Sequence, residues 1–542
     1  MGLIEVALDT GRAFPATESD PFGGPIAALR RLLAAVAGPI DPVAAPLAIV
    51  TGQVGGVAAP GTARCAAVGL SPLSGGVAET RAEGPFAGGL RAAGVTGLII
   101  TGGAAAPVSI VVEHGTARLE PAADLWGLET GPATDLLQRR HGDAAAVAVI
   151  GPAGENQVRY ASIVTCRHHP LPRLGFGAVL GGKLVKAVVC VGADRPPVTD
   201  PAALARISAA YAAAVPGNKL AAWQRGWPGF GVWAGEPGYA TVANFSDTGR
   251  VPGIGAVPTE VARAAGVAPC PGCPTDCIKV YAGAGLHQEA LAMLGPGLGV
   301  ADPWPLLARC EQLGLDPVSL GGTLAAAGVP PADVPATVER IAAGTDPLAG
   351  GAARCAPDTA MTSKGVELPP FDPRVQPNLG LAYAVSPIGP RYDTVEHDLD
   401  FDPDEGIPES FPELSRLGVD VPRPLGELDV HRTAQLMRLW SGLDALGVCL
   451  FAATPTRPLR LVQVEDLVTA ITGRTPDVLA LGAQRLRLQH EINDRLGVAP
   501  DADRLPEIFF TEPVHHGRYA GAVLKRDAFT AAVSELRTRL GF

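Results

Sequence analysis

The sequence predicts an α+β protein, with a β-rich amino-terminal domain followed by two mainly helical domains. Three observations carry this reading. Short β-branched runs bounded by glycine recur through the first 198 residues, the proline cluster Pro196-Pro197-Val198-Thr199-Asp200-Pro201 interrupts them, and beyond it apolar residues recur at helical spacing. A chain of 542 residues is too long for one simple core, so the expected domains are 1–198, 199–375 and 376–542.

In chain order, the first residues lack a basic region ahead of an apolar core, so they read as a strand rather than an export signal. Further strands are expected at Leu47 to Thr51, Gly97 to Gly102, Val108 to Glu113, Ala146 to Gly151 and Val185 to Gly192. Asp200 then caps a helix over Ala202 to Ala214, with Pro201 in its first turn. Helical patterns follow at Leu286 to Leu294, Pro303 to Leu313, Val318 to Ala327, Ala332 to Ala343, Val430 to Leu446 and Val464 to Thr472, and Asp527 to Gly541 closes the chain.

Composition excludes some functions. With a net charge of −11 and no clustered basic face, nucleic acid is not an expected partner. Apolar stretches are broken by Gly, Pro or charge before about 20 residues, so no membrane span is expected and the protein is assigned to the cytoplasm.

The chemistry concentrates in Cys270-Pro-Gly-Cys273-Pro-Thr-Asp-Cys277. Three sulfurs around one point suit an iron-sulfur cluster, which needs a fourth thiolate from elsewhere; the candidate is Cys449, at the end of Asp444-Ala-Leu-Gly-Val-Cys449. Zinc accepts the same donors, and a structural disulfide is the third reading. Cys65, Cys166, Cys190, Cys310 and Cys355 read as ordinary buried thiols.

With these residues in place, the chain resembles the aldehyde:ferredoxin oxidoreductase family, enzymes that carry a tungsten bis-pyranopterin and one 4Fe-4S cluster. The resemblance rests on an ordered set of stretches: Gly61-Thr-Ala-Arg64, Leu70 to Gly75, Ile150 to Asn156, Gly175 to Lys183, the cysteine triplet, Gly314-Leu-Asp316, Lys364 to Arg374, Leu381 to Ala384 and Asp444 to Cys449. It implies a β-rich base for two pterins, covered by the helical domains. Cys270, Cys273, Cys277 and Cys449 would hold the cluster. Asp444 would accept the donor edge of one pterin, with Val448 beside it. Glu311, Gly314, Leu315 and Asp316 form the other pterin motif, Glu311 standing where the family usually has Asp. Arg64 resembles the arginine between cluster and pterin. Arg173, Gly175 and Gly177 would approach pterin phosphates or a bridging magnesium ion. Glu289 aligns with a carboxylate that removes a proton near the metal, and His397 is the candidate proton donor to the carbonyl oxygen.

Departures from the family pattern are Leu174, Phe176, His287 where the family often has an acid, and the loop Ser386 to Tyr392, which lacks the usual arginine and histidine. The implied function is oxidation of an aldehyde to a carboxylic acid, on tungsten or molybdenum, with electrons leaving through the cluster to ferredoxin or another iron-sulfur carrier. The alternatives are a related oxidoreductase with another substrate, or a cofactor-depleted subunit for electron transfer or structure. A homodimer or a larger complex is compatible with the resemblance.

Overall fold

The computed structural model describes residues 2–17, 20–221, 241–248, 266–281, 283–403, 406–422, 425–453, 455–517 and 519–542. Its amino-terminal part is two six-stranded sheets. The first contains β1 (Gly2–Ala7), β2 (Arg12–Pro15), β3 (Leu47–Thr51), β4 (Arg64–Leu70), β5 (Val77–Glu83) and β6 (Val95–Thr101), ordered β2-β1-β6-β3-β4-β5. The second contains β7 (Val108–Glu113), β8 (Thr116–Pro121), β9 (Ala146–Ile150), β10 (Ile163–Thr165), β11 (His169–Leu171) and β12 (Val185–Val191), ordered β11-β10-β9-β12-β7-β8. Each sheet has one parallel pair, β1 with β6 and β12 with β7, among antiparallel neighbours.

Side chains alternate faces along a strand. Leu47 and Ile49 of β3 therefore join Leu98, Ile110, Ile150 and Val188 in a core shared by both sheets. Ala48 and Val50 point the other way, to Leu29 and Leu32 of the Gly24–Ala35 helix and to Ile492 and Leu496 of the Val478–Leu496 helix. On the far side of the second sheet, Val147, Val149 and Val189 meet Ala133 and Leu137 of the Thr130–His141 helix. The result is a base with apolar material on both faces of each sheet.

The expected helices fall close to their spans, at Pro201–Ala214, Gln288–Leu294, Trp304–Leu313, Pro317–Ala326, Val334–Ala342, Val430–Leu446, Leu461–Thr472 and Arg526–Leu540. Asp200 caps the first of these, its side chain accepting the Ala203 N–H at 2.9 Å. Packing groups them across residue 375. Leu291, Leu307, Leu320 and Val338 share a core with Tyr160 and Ala161 of the base. Tyr211, Val215 and Ala221 instead join Leu379, Trp440, Leu467 and Leu536. The reason is local, because the Thr199 and Asp200 N–H groups donate to the Ile471 and Ala470 carbonyls at 3.1 and 2.8 Å, fastening the Pro201–Ala214 helix to the carboxy-terminal region. Among the described residues no helix is long and apolar enough to cross a membrane.

Two helices dock end-on to the base in the same way. Val430–Leu446 and Trp304–Leu313 both finish in a left-handed glycine, Gly447 and Gly314. Their last carbonyls press on glycines that directly follow strands: a Cβ on Gly52 would lie 1.9 Å from the Leu446 oxygen, and one on Gly151 2.3 Å from the Leu313 oxygen. No side chain fits there. Gly52→Ala must therefore push the helix end off the base, an overpacking penalty of about 1–3 kcal/mol or more. In thermal unfolding it is expected to melt clearly below wild type. Gly88→Ala, whose Cβ would meet nothing within 4 Å, should melt at or above it.

Candidate active site

Cys449 stands two residues after Gly447, and its N–H donates to the Gly61 carbonyl at 2.7 Å. That bond ties the end of a helix to the loop before β4. Opposite, the Cys270–Cys277 loop is wound by a 3.1 Å bond from the Cys273 N–H to the Cys270 carbonyl, and the Tyr211 hydroxyl holds it through Thr275 Oγ1 at 2.8 Å. Cys270, Cys273, Cys277 and Cys449 line one small cavity together with Glu83 and Phe451. All nine cysteines are free, which removes the disulfide reading. Among the described residues no three His, Cys, Asp or Glu side chains close on a single ion. Four thiols spread around one cavity fit a multi-iron cluster better than one zinc ion.

A larger cavity, about 900 Å³ including its mouth, adjoins the first; Glu83, Cys277, Ile278 and Phe451 belong to both walls. Arg64, Arg81, His169, His287, Glu289, Arg391, Tyr392 and Asp393 complete its polar lining. Glu289, in the first turn of the Gln288–Leu294 helix, is 8% exposed. Burial pushes its carboxyl up to about 7; nearby Asp393 adds to the rise, while the neighbouring Tyr392 side chain holds it back. Such a carboxyl exchanges protons readily near neutral pH.

Charge is dense beside this cavity. The Asp444 carboxylate is held by Arg64 and Arg81, with Arg485 3.5 Å away. Arg64 also pairs with Glu83 at 2.7 Å and reaches the Val448 carbonyl at 3.4 Å. Arg81 pairs with Asp393 at 3.2 Å, and Arg391 grips the same carboxylate at 2.7 and 2.9 Å. Burial alone would raise the Asp393 carboxyl, but Arg391 and Arg81 hold it well below the usual carboxylate range. Arg485 binds Glu79 at 2.8 Å.

Asp444, expected at a pterin edge, stands behind these arginines. Its oxygens are taken by Arg64 and Arg81, because a buried carboxylate needs countercharge, and those two arginines line the large cavity where Asp444 does not. Asp316 differs. Its Oδ2 caps the Pro317–Ala326 helix at the Ser319 N–H, 2.7 Å away, while Oδ1 is buried with no partner. Arg173 Nε, 3.8 Å from Oδ2, is also unpartnered, and both residues line a lobe that includes Glu289 and Tyr392. An acceptor and a donor side by side fit the edge of a pterin, which offers both kinds of group.

Other expected positions serve the fold. The Glu311 carboxyl lies outside both cavities, 3.0 Å from His168 Nδ1 and 2.8 Å from the Gly285 N–H, which satisfy its buried oxygens. Gly314 ends its helix, Leu315 donates its N–H to the Cys310 carbonyl at 2.8 Å, and Val448 is fully buried; none of the three lines either cavity. The N–H groups of Gly175 and Gly177 are spent on the Arg173 and Ala161 carbonyls at 2.8 and 2.9 Å, so they form no phosphate or magnesium cradle. His397 packs edge-on against Phe371 at 4.5 Å with Nε2 3.2 Å from the Tyr392 carbonyl, away from both cavities.

Arg81, Glu83, His169, Asp393 and Arg485 escaped the sequence reading. One signal was present: Glu79, Arg81 and Glu83 alternate along β5, marking a charged face in an otherwise apolar sheet. Breaking one pair tests the network. Arg485→Ala leaves Glu79, at 0% exposure, without its cation, and should lower stability by about 3–5 kcal/mol, read by denaturant or thermal unfolding. Adding Glu79→Gln to that variant should restore part of the loss.

Residues 11–192 match the aldehyde ferredoxin oxidoreductase N-terminal domain, and residues 207–328 and 337–542 match domains 2 and 3 of the same family. The chain is 27% identical to the tungsten-containing aldehyde ferredoxin oxidoreductase of Pyrococcus furiosus over 506 residues, covering 84% of this chain and 81% of that one. The same identity and coverage hold over 512 residues for the Thermococcus kodakarensis enzyme of that name. A shorter match, 32% over 142 residues and about a quarter of each chain (24% and 23%), is to the WOR-like subunit of a P. furiosus aliphatic sulfonate oxidoreductase. Among solved structures, the fold is similar to the BamBC active-site complex of benzoyl coenzyme A reductase in complex with 1,5-dienoyl-CoA, with a TM-score of 0.80 and 19% identity over 100% of this chain and 94% of that one. The family matches span both the sheet base and the helical cover that together build the two cavities, and on that ground this chain belongs to the aldehyde ferredoxin oxidoreductase family.

Proposed function

We propose that this protein oxidises an aldehyde to a carboxylic acid and passes the electrons through a 4Fe-4S cluster to ferredoxin or another iron-sulfur carrier. The observation that carries the reading is the shared wall between the four-cysteine cavity and the cavity of Glu289. A base and an electron exit stand on either side of Glu83, Cys277 and Phe451. When bound, a tungsten or molybdenum pterin supplies the two-electron redox chemistry. Arg173 and Asp316, with unpartnered atoms on one lobe, and Arg64 and Arg81 on the large cavity are the residues that would hold it.

The chain's own part follows from its chemistry. Oxidation of an aldehyde takes up one water and releases two electrons and two protons beyond the neutral acid. Glu289 receives a proton from the attacking water or the aldehyde hydrate, with Tyr392 beside it on the same cavity wall. The apolar side chains of Pro170, Pro172 and Ile278 on the cavity wall limit bulk water around that transfer. Cys270, Cys273, Cys277 and Cys449 would hold the cluster at the neighbouring cavity. Free thiols of this kind persist in a reducing compartment, which supports the cytoplasm as its location.

Metal analysis of protein made anaerobically with tungstate and molybdate supplied is expected to give about four irons and one heavy metal per chain. Cys273→Ala should lose the iron and with it electron transfer. Glu289→Gln should keep both metals and lose about 10²–10⁴ in turnover, the usual contribution of a general base. The base works ionised, so below its pKa the wild-type rate should rise about tenfold per pH unit and level off above about 7. A Glu289→Gln enzyme that turns over normally removes the assigned base.

A further inference from the structure

The two cavities differ in the charge on their walls. Glu83 and Asp276 line the four-cysteine cavity, and among the described residues no lysine, arginine or histidine lines it with them. The large cavity has three guanidiniums, Arg64, Arg81 and Arg391, beside the carboxyls of Glu83, Glu289 and Asp393. Glu83 is the one carboxyl common to both walls, where its companions are Cys277, Ile278 and Phe451.

The base fixes that position. Glu83 ends β5 directly opposite Arg64, the first residue of β4, and its Oε1 accepts the Arg64 Nε–H at 2.7 Å. The Gly84 N–H donates to the Ala63 carbonyl at 2.9 Å, and a Cβ on Gly84 would come within 2.5 Å of His169 Cγ, so the strand end is held on two sides. The same guanidinium reaches Asp444 and the Val448 carbonyl, one residue before Cys449. Arg64 itself lines the large cavity only. The pair is therefore oriented, with its negative end on both walls and its positive end on one.

That orientation has an electrostatic consequence. Burial alone would raise the Glu83 carboxyl, but Arg64 holds it below the ordinary range, so it is ionised at neutral pH. The Glu83 side chain is 15% exposed and that of Arg64 3%, so water and salt screen the pair weakly. Reducing an iron-sulfur cluster adds an electron to a group that four thiolates already make anionic. A fixed negative charge at the edge of its cavity opposes that electron and lowers the reduction potential.

We infer that Glu83 sets the driving force for electron exit: from the shared wall it keeps the cluster at low potential, so that an electron arriving there is passed outward to the carrier. The inference rests on the cluster reading of the four cysteines and is independent of which substrate supplies the electrons.

The test is a redox titration of the cluster followed by electron paramagnetic resonance, on full-length enzyme prepared anaerobically; it needs no substrate. Glu83→Gln keeps the size of the side chain and an oxygen for the Arg64 Nε–H, and removes the charge. Its midpoint potential should rise by at least a tenfold change in the reduction equilibrium, about 59 mV for one electron, with iron content unchanged. Glu83→Asp keeps the charge and should titrate close to wild type. A Glu83→Gln potential equal to or below that of wild type overturns the inference. So does a Glu83→Asp potential raised as far as that of Glu83→Gln, which would assign the effect to the fit of the side chain and not to its charge. Loss of iron from Glu83→Gln overturns it as well, by making the carboxylate an anchor of the cluster. Wild type without iron would instead defeat the cluster reading, and this inference with it.

Discussion

The rest of the structure depends on a knot of buried charge. Arg64, Arg81, Glu79 and Glu83 come from two adjacent strands of the base, Asp444 and Arg485 from two helices more than 360 residues later, and Arg391 and Asp393 from the loop between. Four guanidiniums meet four carboxylates, and Glu79 and Arg81 of the base find their countercharges only on the helices and the loop. Buried ion pairs add little net stability over apolar packing, yet an unmatched member is strongly unfavourable. The network therefore acts on specificity. It penalises any docking of the helices on the base that leaves Asp444 short of Arg64 and Arg81.

Docking also has a duplicated geometry with different contents. Asp444, Gly447, Val448 and Cys449 have the same spacing as Glu311, Gly314, Leu315 and Asp316, and each motif turns on a left-handed glycine against a post-strand glycine of the base. The first position of each motif is a buried carboxyl satisfied by the protein, through arginines for Asp444 and through His168 and the Gly285 N–H for Glu311. The last position differs. Cys449 enters the thiol-lined cavity, whereas Asp316 caps a helix and leaves one oxygen unpaired in the lobe beside Glu289. One backbone arrangement thus gives an electron exit on one side and a polar binding edge on the other.

This asymmetry marks how far the sequence could be read. The strands β3, β7, β9 and β12 were legible because their β-branched runs carry their own burial signal. So were the cysteines, whose donor type limits what they can hold. β5 and the Val478–Leu496 helix were not, because Glu79, Arg81 and Arg485 read locally as solvent-facing charge. Their burial is set by partners about 400 residues away, which no local window contains. Asp444 and Glu311 show the converse limit: the family pattern found the right turns, but which partners satisfy each carboxyl depends on side chains from other elements. The packing of Phe371 against the His397 ring was likewise out of reach, because only the acids flanking that histidine are visible in the local sequence.

The same pairing that joins the domains also sets the strength of the base. Glu289 shares its cavity with three arginines, any of which, if unpaired, would stabilise its carboxylate and return it to the ordinary acid range. Instead Arg391 and Arg81 are committed to Asp393, and Arg64 to Glu83 and Asp444. Asp393 raises the Glu289 carboxyl while Arg391 lowers it, so the ion pair acts mainly as a dipole and burial decides the outcome. A neutral but highly polar wall is what allows a carboxyl to remain protonatable near pH 7 while standing next to cations. Domain docking and base strength are in this sense two consequences of one charge balance, and altering a member of the knot changes both.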